Sequence, residues 1–168
     1  MKKRITALLL LLVVAALLCA CGSKQKNRTP EETAMIFVKA VMNNDSEAFS
    51  QCVHPKMLEE WRDSFLGDDS CQLTEIHTGM VTDMSEDYLE YMQDYYGEEY
   101  KDFDYSKEYL EELQNSFSEE YGIANITAAK TVTVYVKYHN YRTSKDVSDV
   151  VDCKVFLSDS CWYAWGWS

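Results

Sequence analysis

The hydrophobic repeat of this chain changes once, and that change dictates the architecture. From Thr29 to Gly122 apolar residues recur mostly every three or four positions, which gathers them on one side of an α-helix. From Thr131 onward they recur every second position, the mark of a strand with one buried face. Val132, Val134, Val136 and Tyr138 alternate with Thr131, Thr133, Tyr135 and Lys137, and Val151, Cys153, Val155 and Leu157 repeat the device. Ser158-Asp159-Ser160 then turns the chain into Cys161-Trp162-Tyr163-Ala164-Trp165-Gly166-Trp167, which completes an antiparallel meander. Helices first and strands afterwards predict an α+β fold, with N-terminal helices packed on one face of a curved C-terminal antiparallel sheet.

The helical part carries its own punctuation. Thr29-Pro30-Glu31-Glu32 is a capping box with proline at the first helical position, and Ala34, Met35, Phe37, Val38, Val41 and Met42 form the buried face behind it. Asn43-Asn44-Asp45 interrupts. Asn44 with Glu47 offers a second box, for a short helix burying Ala48, Phe49, Cys52 and Val53 before His54-Pro55 ends it. Met57, Leu58, Trp61 and Phe65 mark a third helix, closed at Gly67 by a left-handed turn. Between Asp68 and Thr82 two patterns compete: Thr74, Ile76, Thr78 and Met80 alternate, while Leu73, Ile76, His77 and Met80 share a helical face. The helical or irregular reading is preferred there. Asp83 with Glu86 caps an expected helix carrying Met84, Tyr88, Tyr91, Met92 and Tyr95, and Leu110, Leu113, Phe117 and Tyr121 define another that ends at Gly122.

Ahead of the fold stands Met1-Lys2-Lys3-Arg4 and an apolar run from Ile5 to Leu18, too short to span a bilayer comfortably. Its ending, Leu18-Cys19-Ala20-Cys21, resembles the bacterial lipobox: aliphatic, small, Gly/Ala/Ser, then the cysteine that is lipidated. The resemblance implies a signal peptide over 1–20, a diacylglyceryl anchor on Cys21 and a location on the outer face of the bacterial cell membrane. Two acyl chains hold where one exchanges, since each buried methylene contributes about 0.8 kcal/mol. Residues 21–28 read as the lipidated cysteine and a polar tether, and 29–168 as one domain. Cleavage before Cys21 removes Lys2, Lys3 and Arg4 and moves the formal charge from −12 to −15. That charge argues against nucleic acid as a partner and against the domain itself lying on anionic lipid.

Acidity concentrates between Asp83 and Glu120, where fourteen Asp or Glu meet only Lys101 and Lys107, interleaved with tyrosines. Two readings apply: a face for a cationic partner or divalent ions, or a solvated helical face over packed tyrosines, which is preferred. A calcium loop starting at Asp102 fails its template, because Lys107 stands where glycine is needed and Leu113 where the bidentate acid belongs.

Cys52, Cys71, Cys153 and Cys161 remain in a compartment that permits disulfides. With a turn at Ser158–Ser160, Cys161 lies opposite roughly Leu157, which leaves Cys153 on the order of 13 Å away. A disulfide needs Cα atoms within about 7 Å. Cys52 with Cys71 is the simplest single bridge, two bridges would carry both across to the sheet, and free buried thiols are the third alternative.

Catalytic material is sparse. His54, His77 and His139 are scattered, with His54 read as capping a helix end and His139 as standing at a strand end. No metalloprotease, nucleophile-elbow, CxxC or phosphate-loop motif is present, so no catalytic residue, metal or cofactor is named. Period-2 alternation places Tyr163, Trp165 and Trp167 together, opposite Trp162 and Ala164, as a candidate surface-binding strip for cell-wall glycan if both indoles are exposed.

The opening Thr29-Pro30-Glu31-Glu32, the helix with Phe37 and Val38, the break at Asn44-Asp45, the helix ending in His54-Pro55 and the terminal strand with Trp162-Tyr163 resemble bacterial lipoproteins with a cystatin-like, nuclear transport factor 2-like domain. The resemblance implies a cone of helices and curved sheet around a pocket, in a superfamily that includes ketosteroid isomerases, polyketide cyclases and non-catalytic binding modules. Fold alone does not choose among these. The expectation is a lipid-anchored, non-catalytic domain that binds an envelope protein or a small ligand, with a pocket enzyme and a glycan-binding module as alternatives.

Overall fold

The computed structural model describes residues 28–67, 70–84 and 105–168. Helices α1 Pro30–Met42, α2 Ser46–Ser50 and α3 Leu58–Phe65 come first, followed by strand β1 Cys71–Asp83. Helix α4 Tyr105–Tyr121 and strands β2 Ile126–Asn140, β3 Lys145–Ser158 and β4 Cys161–Trp167 complete the order. The signal segment, the tether up to Asn27 and all of the helix expected after Asp83 beyond Met84 lie outside the described residues.

Local chemistry starts the helices as expected, with one shift. At α1 the Thr29 hydroxyl accepts the Glu32 N–H at 3.2 Å and the Glu32 carboxylate accepts the Thr29 N–H at 3.0 Å, a reciprocal box worth about 1 kcal/mol. Ala34, Phe37, Val38 and Met42 are buried, and Met35 and Val41 are half-buried. At α2 the cap is Asp45 and not Asn44: its carboxylate accepts the N–H groups of Glu47 and Ala48 at 3.1 and 3.0 Å. Asn44 takes a left-handed φ of 52° and its side-chain oxygen accepts the Gly67 N–H at 2.9 Å, which ties the α1–α2 turn to the end of α3. His54 does not cap a helix. Its Nδ1 accepts the Lys56 N–H at 3.2 Å, closing the turn that precedes α3.

The stretch expected to be helical or irregular is strand β1, antiparallel to β2. Leu73 faces Tyr138, Ile76 faces Val136, Thr78 faces Val134 and Val81 faces Val132. Two bulges, between Leu73 and Glu75 and between Thr78 and Val81, each insert a residue. Core-facing positions therefore fall three apart at those points, and a bulged strand imitates helical spacing.

The four strands form one curved antiparallel sheet in the order β1-β2-β3-β4. Val132, Val134 and Val136 are buried on its front face, against α1. There the Phe37 ring lies 5.5 Å from Phe49, 5.3 Å from Phe65 and 6.0 Å from Trp167, mostly edge-on. On the back face Ala129, Phe156 and Tyr163 stand in register, and α4 covers them with Phe117, 5.2 Å from the Phe156 ring. Elsewhere on the sheet's back side Met80, Tyr135 and Val150 are exposed, His77 stacks on Tyr135 at 5.0 Å and Lys137 pairs with Glu75 at 2.7 Å. No helix among the described residues is long and apolar enough to cross a membrane.

Candidate functional site

β4 contains a bulge of its own, and it builds the site. Lys154 pairs with Gly166 and Val155 with Ala164, so Trp165 is the extra residue. Before the bulge Tyr163 points to the back face. Trp165 also packs there, 5.6 Å from Phe156 and 5.7 Å from Phe117. After it, Trp167 stands opposite Cys153 and turns to the front, where its indole meets Phe37 and Phe65. Gly166 lets the chain make this switch at φ 158° with the Trp61 ring alongside. Tyr163, Trp165 and Trp167 therefore do not share a face. Tyr163 is buried, both indoles are half-buried, and the expected common strip is replaced by two separate packing sites.

Turned forward, Trp167 walls a cleft of about 420 Å³ between the C-terminal ends of α1 and α3 and the front of the sheet. Its apolar floor comes from Met42, Phe65, Val136, Val151 and Trp167. Around this floor stand polar groups from Ser64, Ser70, Tyr138, Asn140 and Asp149. Cys71 lines the same space, its thiol donating to the Met42 carbonyl at 3.6 Å. Six elements thus converge on one volume, in the range of small-molecule sites. Two further hollows among the described residues are smaller: one of about 330 Å³ runs along α4 beside Lys107, Glu111 and Asn115, and one of about 190 Å³ lies on the back face around His77, Tyr135 and Lys137.

Burial pushes the Tyr138 phenol above its ordinary value, and the neighbouring Asp149 carboxylate and Cys71 thiol add to the effect. A phenol is protonated at neutral pH with or without that shift, so Tyr138 can donate a hydrogen bond. Asp149 is exposed at the mouth, its carboxylate accepting the Val150 N–H at 2.8 Å. Sequence reasoning placed Tyr138 only in the alternation of a strand and did not name Asp149, yet a signal existed. Along β3 the front-facing series is Val147, Asp149, Val151, Cys153 and Val155, so Asp149 occupies an apolar position in phase, whereas Asp146 and Asp152 fall on the back.

Cys21 lies outside the described residues. None of Cys52, Cys71, Cys153 and Cys161 is in a disulfide. The Cys52 thiol donates to the Phe49 and Ala48 carbonyls at 3.3 and 3.5 Å, while Cys71 faces the cleft. Cys161 pairs with Ser158, one position beyond the expected Leu157, and Cys153 pairs with Trp167, so these two stand far apart along the hairpin. His54 rests its ring 4.8 Å from Tyr163, and burial lowers its pKa, helped by Lys56 and opposed by Asp159. His139 lies near the end of β2 with Nδ1 2.8 Å from the Asp146 carboxylate. Among the described residues no group of three or more His, Cys, Asp or Glu could hold a metal ion. Of the acidic stretch, 85–104 lies outside the described residues, and on α4 Glu111, Glu112, Glu119 and Glu120 are exposed.

No family model matches this chain, and neither do any curated proteins or solved structures. What is established is the class: an α+β protein with helices on a curved, open four-stranded antiparallel sheet.

Proposed function

We propose that this chain is a lipid-anchored protein of the outer face of a bacterial membrane, whose domain is a cystatin-like, nuclear transport factor 2-like cone that holds a small ligand in the cleft. The observation that carries the reading is the cleft itself, an apolar floor ringed by polar groups from separate elements. A holding role suits its chemistry, because Tyr138 stays protonated and offers a directional hydrogen bond. The anchor rests on Leu18-Cys19-Ala20-Cys21 and on a domain charge that gives anionic lipid nothing to attract.

Two experiments test the two halves. Cys21→Ala should move the protein from the membrane fraction and abolish incorporation of labelled fatty acid; unchanged fractionation with no lipid label on the parent protein refutes the anchor. For the cleft, indole should slow alkylation of Cys71 by N-ethylmaleimide while leaving Cys161 unaffected. Equal rates with and without every apolar probe tried refute a ligand site at this place.

A further inference from the structure

The charge pattern inside the cleft selects a ligand class. Among the described residues that line the cleft, Asp149 is the one charged side chain, with no lysine or arginine beside it. Among the described residues no cation is paired with its carboxylate, whose hydrogen bond is to the adjacent Val150 N–H. The rings of Phe65, Tyr138 and Trp167 line the same cleft, and aromatic faces attract positive charge. The whole chain carries a formal charge of −12, which favours cations over anions near its surface. An anionic ligand would meet a carboxylate with no counter-charge. A neutral one would leave that carboxylate unused.

We propose that the ligand is an organic monocation, a primary or quaternary ammonium on an apolar body, with Asp149 as counter-ion at the mouth and the Phe65 and Trp167 rings receiving the body. This inference rests on the cleft being a ligand site and adds the sign of the charge. The body is small, since about 420 Å³ holds about fourteen waters' worth of volume. Asp149 is exposed and its carboxylate is hydrated, so the pair is of the solvent-screened kind and supplies a modest factor that the rings enlarge.

The test uses full-length protein in detergent and calorimetric titration with three ligands of nearly equal shape: 2-phenylethylamine, 2-phenylethanol and 3-phenylpropionate. The amine should bind about tenfold tighter than the alcohol, and the carboxylate weakest. Asp149→Asn keeps the oxygen that accepts the Val150 N–H and should weaken the amine about three- to fivefold without changing the alcohol; Asp149→Glu should restore most of the loss. Amine and alcohol binding alike, the carboxylate binding best, or an unchanged amine affinity in Asp149→Asn overturns the charge assignment and leaves the cleft as a ligand site. Failure of all three compounds, with Cys71 unprotected by any of them, overturns the cleft reading and this inference together.

Discussion

The Cys52 and Cys153 thiols should resist modification in the native protein by a margin that the structure sets. Cys52 is fully buried, and burial pushes its thiol from 9.0 up to about 12, with Arg28 and the Cys52 backbone N–H pulling back by less. Burial drives Cys153 well above the usual thiol value too, and the Cys52 thiol nearby adds to that. Only thiolate attacks an aromatic disulfide reagent. At pH 8 a thiol at about 12 carries about a thousandth of the thiolate of one at 9.0, and the greater nucleophilicity of that thiolate recovers only part of this, so Cys52 should react about thirty- to sixtyfold more slowly even before access is considered. Cys71, half-buried and facing the cleft, should react first. The assay is timed modification of native protein followed by peptide mapping, repeated in guanidinium, where all four thiols should react at one rate. Modification of native Cys52 within tenfold of the Cys71 rate, or a Cys52–Cys71 disulfide in the purified protein, refutes the reasoning. The same shift has a pH signature. A folded-state pKa above the unfolded value gives stability that is complete below about pH 9 and lost as pH rises through about 12, up to about 4 kcal/mol for Cys52.

Phe37→Ala empties the centre of the front-face ring cluster and should cost about 3–5 kcal/mol, lowering Tm by about 10 °C or more; a loss under about 1 kcal/mol by guanidinium unfolding would contradict that packing. His54 has a lowered pKa in the fold, so the unfolded chain binds its proton more readily and stability should fall as pH drops below 6.5. His54→Gln should flatten that part of the Tm profile, and an identical profile in the variant would exclude this origin. Gly79→Ala would place a Cβ 2.5 Å from the Tyr135 ring, forcing it off His77; the expected cost is about 1 kcal/mol and should largely vanish in Gly79→Ala with Tyr135→Ala.

How much of this was legible depended on whether an element kept its period. The α1 box, the Phe37 face, the last turn of α4 at Gly122 and the β2–β3 alternation all follow local rules, and each stands where those rules put it. β1 and the end of β4 do not, because bulges at three places insert residues and reset the phase. A bulge answers to the neighbouring strand, and that strand lies elsewhere in the chain. The one at Trp165 had the largest consequence: it separated an expected aromatic strip and sent Trp167 to the cleft. The cleft was invisible for a related reason, since Met42, Phe65, Cys71, Tyr138, Asp149 and Trp167 come from six elements that only the folded topology unites. Asp149 alone carried a trace, as an acid in an apolar phase.

Chemical-shift mapping of small aromatic fragments on isotope-labelled protein tests the ligand-site claim most directly. The perturbed amides and methyls should cluster on Met42, Phe65, Cys71, Tyr138, Val151 and Trp167, with cationic fragments ahead of neutral ones. Perturbations confined to the α4 groove or the back face, or none at any concentration the fragments reach, would contradict it.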